Sequence, residues 1–359
     1  MMDEFRPPWW LRNRHLQTFL GARGDEERVS AGTLVHRVPT ADGEALALHE
    51  DAPETPSTTS DSPAVLLIHG LAGSHRSGYV VRIGQGLVRA GWRVFRMDMR
   101  GCGAGESWAH KPPHAGLTQD VHAALCFINA HYKQHRLALV GFSLGGNLVL
   151  KFLGELGRGD YSSTSGSVEL CYAISVSPPI DLSLAADMME RGTGRIYTAY
   201  FMKMLQRQLR TKLELWEPWR TQAARVGEHR VLKTIREFDD AYTAPLAGFA
   251  SAADYYQRSS SKSLLDFINV PCDLLVAKDD PIVPFASYQG LSPEGAWLKN
   301  APGQMFAMSH GGHLGFIDRR DRDARQAHNE LKMANVIPHR RWMDRWICQR
   351  LIKVVQHKT

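Results

Sequence analysis

The chain has 359 residues, 43% of them hydrophobic, which suits one large α/β domain or two smaller ones and excludes global disorder. Its 43 Lys+Arg and 37 Asp+Glu leave a net charge of +6, spread along the chain and unaccompanied by any nucleic-acid motif, so a solvated surface is expected, one that permits weak attraction to anionic lipid. The five cysteines (Cys102, Cys126, Cys171, Cys272 and Cys348) are odd in number and lack C-x-x-C spacing, which argues for reduced thiols. The N-terminus lacks the apolar run of a secretory signal, and no run of about 18 apolar residues occurs, so a soluble cytoplasmic protein is expected.

Residues 1–32 read as an irregular arm whose Phe5, Pro7, Pro8, Trp9 and Trp10 pack on the domain. Strands are predicted over 34–38 and 45–50, around the turn Ala41-Asp42-Gly43, followed by a polar loop over 52–63. The apolar run 64–68 reads as a strand buried on both faces. It ends in His69-Gly70-Leu71-Ala72-Gly73, where His69 is expected to hold the loop by hydrogen bonds. A helix over 79–90 stops at Gly91, and a strand over 93–97 leads into the glycine-rich turn 98–105. That turn lacks G-x-G-x-x-G and does not run straight into a helix, so no dinucleotide cofactor is expected. Asp98 is read as tying the turn together, and nothing nearby marks Cys102 as activated. Residues 117–132 form an amphipathic helix.

Residues 137–150 read LALVGFSLGGNLVL, an apolar strand run, then Gly141-Phe142-Ser143-Leu144-Gly145, then a helical pattern. G-x-S-x-G between a strand and a helix is the context in which a serine is held out of the sheet as a nucleophile. A serine hydroxyl attacks only when a base takes its proton, and the first helix amides face what it attacks. Leu144 N–H is therefore a candidate oxyanion donor. The competing reading is a serine that merely caps the helix.

The helix continues over 148–156, a polar loop covers 157–166, and a strand is expected over 168–176. The alternation of strands and helices argues for a mainly parallel sheet with helices on both faces. From 182 to 264 no strand pattern appears; helices are expected over 196–213 and 230–238, and the block reads as a helical cap over the strand ends. Its Tyr197, Tyr200, Phe201, Met202 and Met204 are read first as packing. Strands follow over 272–277 and 295–299, then the stretch Gln304-Met305-Phe306-Ala307-Met308, and a last helix over 340–355 with Trp342, Trp346 and Leu351 on its apolar face.

Asp280 follows the strand 272–277, and His313 lies in Ser309-His310-Gly311-Gly312-His313-Leu314-Gly315. The order Ser143, Asp280, His313 suits a triad in which His313 takes the serine proton and Asp280 fixes its tautomer. Asp279 and Asp181 compete for the acid, and His310 competes for the base. Sixteen histidines occur without H-E-x-x-H or paired Cys/His spacing, so no metal is expected.

The stretches FRPPWWLRNRHLQT, LLIHGLAGSHRSGYV, MDMRGCGAGES, GFSLGGNLVLKFLG, SVSPPIDL, FDDAYTAPLAGFASAADYY, DDPIVP and SHGGHLGF resemble the YheT-like branch of the α/β-hydrolases, the AB hydrolase 4 family. The likeness covers nearly the whole chain. It implies the α/β-hydrolase fold, with core segments at 1–181 and 265–359 and the cap at 182–264. It implies a charge-relay triad falling on Ser143, Asp280 and His313, with Leu71 N–H in the place of the second oxyanion donor. It further implies carboxylic-ester hydrolysis or acyl transfer, no cofactor, and a small ester or lipid-like substrate. The rival readings are an acyltransferase using the same acyl-enzyme and a catalytically silent binding protein on the same fold.

Overall fold

The computed structural model describes residues 4–22, 30–53, 62–132, 136–162, 168–227, 230–291, 297–319 and 341–356. Its centre is an eight-stranded sheet: β1 Leu34–Pro39, β2 Ala45–Asp51, β3 Ala64–Ile68, β4 Arg93–Met97, β5 Leu137–Phe142, β6 Tyr172–Val176, β7 Cys272–Ala277 and β8 Met305–Met308. The strand order is β1-β2-β4-β3-β5-β6-β7-β8. β2 runs antiparallel to β1 and β4, and all other pairs are parallel.

β3 explains why the middle of the sheet reads as continuous apolar runs. Side chains alternate across a strand, so Leu66 and Ile68 enter one core layer while Val65 and Leu67 enter the other. The first layer is filled by α3 (Thr118–His131) and α4 (Leu144–Arg158), through Val121, Leu125, Leu148 and Phe152. The second is filled by α2 (Gly78–Arg89) and the last helix, through Ile83, Leu87, Trp342 and Trp346. Every β3 residue is fully buried, as a strand covered on both faces must be.

The arm is not irregular. After a short turn at Trp9–Leu11, residues Arg14–Ala22 form α1. Asn13 Oδ1 accepts from the backbone N–H of His15 and Leu16 at 2.9 and 3.1 Å, capping the helix start. Phe5 packs against Phe316 and Trp342, as the packing arm requires, whereas Trp9 is 81% exposed.

Between β6 and β7 the described residues form only helices: α5 Leu182–Met189, α6 Gly194–Leu215, α7 Glu217–Val226, α8 Ile235–Phe238, α9 Ala244–Ala247 and α10 Ala252–Ser259. The helix expected over 230–238 begins only at Ile235. Thr234 caps it in a box with Glu237, which fixes extended backbone at the cap. α8 then runs through a π-turn, Asp239–Thr243, into α9.

Three further boundaries differ. The strand expected over 168–176 starts at Tyr172, and α4 runs into the expected loop as far as Arg158, where Gly159 takes a left-handed cap at φ 93°. The strand expected over 295–299 is absent from its described residues: Trp297 turns inward and donates its ring N–H to the carbonyl of Cys272 at 2.9 Å. The expected loops at 52–63 and 157–166 lie partly outside the described residues. The last helix, here α11, spans Trp342–Gln356.

Candidate active site

The turn after β5 holds Ser143 at φ 52° and ψ −120°, a backbone conformation that a residue with a Cβ rarely adopts. It persists because both sides are packed against backbone. A Cβ on Gly145 would lie 2.4 Å from the carbonyl of His69, and one on Gly141 would lie 2.2 Å from the carbonyl of Gly145. Ser143 stands at the N-cap of α4 but its side chain makes no cap hydrogen bond, so the capping reading is not what the structure contains. Its hydroxyl instead lies 2.8 Å from Nε2 of His313.

His313 reaches Ser143 from the loop after β8. Its Nδ1 lies 2.8 Å from Oδ2 of Asp280, and both side chains are buried. The other carboxylate oxygen of Asp280 accepts from the backbone N–H of Ile282 and Val283 at 2.8 and 2.9 Å. Those two amides orient the carboxylate, so the strand-end turn before Pro281 positions its own acid. The competitors go elsewhere. Asp279 accepts from Gly312 N–H at 3.0 Å and faces His310 at 3.5 Å. Asp181 caps α5 by accepting from Leu184 N–H at 3.1 Å. The two adjacent aspartates thus sort onto two different histidines.

The histidine loop is held by α1, which the sequence reading did not foresee. Thr18 Oγ1 accepts the backbone N–H of His313 at 2.9 Å and donates to the carbonyl of Arg14 at 2.8 Å. Gln17, fully buried, accepts from Ile317 N–H at 2.8 Å and donates to the carbonyls of Ile317 and Leu11 at 3.1 and 2.9 Å. The backbones touch: a Cβ on Gly312 would lie 2.4 Å from the carbonyl of Arg14. The signal that could have revealed this is Asn13 ahead of Arg14-His15-Leu16-Gln17-Thr18, a capped helix start carrying two polar side chains destined for burial.

The loop after β3 crosses Ser143 closely, since a Cβ on Gly70 would lie 3.0 Å from the Cβ of Ser143. Leu71 follows at once, and Leu71, Leu144 and Ser143 line one cavity. Leu144 is the first residue of α4, where helix amides lack intrahelical acceptors. His69 holds the loop as expected: Nδ1 lies 2.7 Å from the carbonyl of Gly70, and Nε2 accepts from Met99 N–H at 3.0 Å. Burial lowers its pKa, so it stays neutral in that tautomer. Asp98 ties its turn by accepting from Ala104 N–H at 2.9 Å, from His75 N–H at 2.6 Å and from the rings of His49 and His75 at 2.9 Å each. His49, His75 and Asp98 are the trio among the described residues whose ligand atoms lie close enough to share a metal ion. In this structure their facing atoms are hydrogen-bonded to one another. Burial pushes the Cys102 thiol up to about 12, which leaves it unreactive.

A cavity opens beside Ser143. It runs between the sheet rim and the helices that follow β6, and Met189, Phe201, Leu205, Phe238 and Ile282 give it a largely apolar wall. Two buried charged groups also face it. Lys212 donates to the carbonyls of Glu106 and Ala109 at 2.9 Å each, tying α6 to the loop after β4. Asp239 accepts from the Tyr256 hydroxyl at 2.7 Å, and burial raises its carboxyl to about 6.

A sheet of this order, with a strained serine after β5, an acid after β7 and a histidine after β8, is that of an α/β hydrolase, and the chain belongs to the α/β hydrolase fold family, which it matches over residues 63–320. Within that family it is similar to YheT of Escherichia coli K12, an esterase by name, at 30% identity over 88% of this chain and 87% of that protein. It is 27% identical to the medium-chain fatty acid ethyl ester synthase/esterase 2 of Saccharomyces cerevisiae over 72% of this chain; the match spans about three fifths, 59%, of that longer protein. Among solved structures, an esterase of Pyrococcus furiosus, Pf2001, aligns with a TM-score of 0.50 at 15% identity, covering 86% of this chain and 98% of that one; it shares the fold. No helix among the described residues is long and apolar enough to cross a membrane.

Proposed function

We propose that this protein is a serine carboxylesterase acting on short- to medium-chain acyl esters, lipid-like esters included, through an acyl-enzyme. The observation that carries the reading is the unbroken contact Asp280–His313–Ser143, 2.8 Å at each step, opening on a mainly apolar cavity. With Nδ1–H directed at Asp280, the imidazole presents Nε2 as acceptor to the Ser143 hydroxyl. Ser143 Oγ then attacks the ester carbonyl as its proton passes to His313. The tetrahedral oxyanion takes hydrogen bonds from the N–H groups of Leu71 and Leu144. His313 returns the proton to the leaving alkoxide, and water repeats the sequence to release the acid.

Residues 182–264 serve as a cap, and the cavity beneath them takes the acyl chain. The likeness to YheT and to a medium-chain ester synthase/esterase supports the substrate class. Five free thiols support residence in a reducing compartment, the cytoplasm. The test is Ser143→Ala against a chain-length series of p-nitrophenyl esters, with fluorophosphonate labelling of the parent. Turnover should fall by about 10³-fold or more, and labelling should stop; undiminished activity refutes the reading. Absence of labelling in folded parent protein would instead favour a silent binding protein. Acyl transfer to an alcohol is the second reading, favoured by the apolar cavity wall, since exclusion of water decides between the two. Product analysis with added ethanol distinguishes them.

A further inference from the structure

Helix α6 separates the cavity from solvent and has two unlike faces. Phe201, Leu205 and Leu209 line the cavity. On the other side, Ile196, Tyr200, Lys203, Arg207 and Arg210 recur at intervals of four and three residues, and all are exposed. α1 lies alongside. Its Phe19 ring stacks 5.8 Å from Tyr197, and His15 Nδ1 lies 2.8 Å from the Tyr197 hydroxyl.

The two helices therefore present one continuous surface with an unusual composition. Leu16 and Phe19 on α1 are 44% and 49% exposed, and Ile196 and Tyr200 on α6 are 55% and 53% exposed. The cations on the same stripe of α6, Lys203, Arg207 and Arg210, are exposed and make no ion pair with a described carboxylate. α1 contains no acidic residue, and α6 contains none before Glu214. Four large apolar side chains held in water cost free energy unless something covers them, and a solvated protein surface normally carries acids among its bases.

We propose that this face of α1 and α6 docks on an anionic lipid surface, with Leu16, Phe19, Ile196 and Tyr200 entering the headgroup boundary and the three cations, Lys203, Arg207 and Arg210, meeting lipid phosphates. Apolar and aromatic side chains beside unpaired cations on paired helices are the chemistry that lies in such a boundary. A second copy of this chain is a poorer occupant, because a two-fold contact would bring the same cations of both copies together. Docking would set the cavity, on the reverse side of the same helix, next to the lipid phase. The inference does not depend on which ester is cleaved.

The test is co-sedimentation of the full chain with sucrose-loaded vesicles of phosphatidylcholine alone and of phosphatidylcholine mixed with phosphatidylglycerol. Binding is expected to the mixed vesicles and to weaken as salt is raised. Each removed cation should lower the partition coefficient about fivefold, so Lys203→Gln with Arg207→Gln should lower it about 25-fold. Ile196→Ser with Tyr200→Ser should weaken binding to the mixed vesicles at every salt concentration. Both double variants should hydrolyse a water-soluble p-nitrophenyl ester at the parent rate, which shows that they are folded. No binding to either vesicle, or equal binding by parent and variants, overturns the proposal. A parent dimer that Ile196→Ser with Tyr200→Ser dissociates would overturn it too, by making the second copy the occupant.

Discussion

Replacing Thr18 by valine removes one oxygen and leaves the side-chain volume nearly unchanged, so it isolates what α1 does for His313. Thr18 is 6% exposed and His313 7%, and the hydroxyl is the acceptor of the His313 backbone N–H at 2.9 Å. Valine leaves that buried donor without its partner, at a cost of about 1–3 kcal/mol. The loop has little freedom to find another. Gly312 is pressed on the carbonyl of Arg14, Gly315 on that of Gln17, and Ile317 is held from both its N–H and its carbonyl by the Gln17 amide. The strain should therefore appear partly as lost stability and partly as a displaced imidazole. A displacement of about 1 Å costs about 10²-fold in turnover. We expect Thr18→Val to lower kcat on p-nitrophenyl butyrate by about 10- to 100-fold, with KM little changed because Thr18 does not line the cavity. The melting temperature should fall by about two to four degrees. Thr18→Ser, which restores the hydroxyl, should recover most of both. A Thr18→Val enzyme with the parent kcat and melting temperature would refute the argument that α1 positions the histidine.

Other expectations follow from the same geometry. Asp280→Asn keeps the acceptor for Ile282 and Val283 but can turn an amide N–H toward His313 Nδ1, forcing the wrong tautomer; kcat should fall by about 10⁴-fold. Asp279→Asn, whose partners are Gly312 and His310, should stay within about threefold of the parent, a margin well below any loss of a triad member. Gly145→Ala should yield little soluble, active protein, because the added methyl meets the His69 and Ile68 carbonyls at 2.4 and 2.5 Å, and backbone cannot give way as a flexible side chain can. Asp239 is raised from 3.8 to about 6 by burial, so between those values the folded state binds more protons than the unfolded one and stability falls as pH rises. Asp239→Asn should flatten that slope and stabilise the protein above pH 6 by up to about 3 kcal/mol, with Asn still able to accept from Tyr256. Thermal melts across that range check it, and a parent whose stability rises through the same interval would contradict the sign.

What could be read in the sequence follows how local each constraint is. β3 lies where its apolar run places it, because a strand covered on both faces buries every side chain; β4 and β7 also lie where expected, each carrying a buried charge with a partner, Arg96 on Asp51 and Asp273 on Arg350. Ser143 and Asp280 were legible for a related reason: each is fixed within a few residues of itself, the serine by its flanking glycines and the acid by the amides of Ile282 and Val283. His313 could be told from His310 only by the glycines around it, since its distinguishing contacts, with Thr18 and Asp280, lie 295 and 33 residues away. The arm escaped because α1 is short and its apolar Leu16 and Phe19 face outward, which breaks the pattern from which helices are read. α7 escaped for a similar reason: its buried side is little more than Trp219.

The three proposed catalytic side chains are thus held by three different means, and the difference bears on how such a site tolerates change. The serine depends on absent atoms, since any Cβ at 141 or 145 collides with main chain, and so admits almost no substitution beside it. The acid depends on main-chain amides, which persist whatever side chains surround the turn. Only the histidine depends on side chains from a distant segment, Gln17 and Thr18. α1 also meets α6 through His15 and Tyr197, while α6 walls the cavity. The contacts Thr18–His313 and His15–Tyr197 therefore make one short helix a link between the histidine proposed as base and the cavity wall.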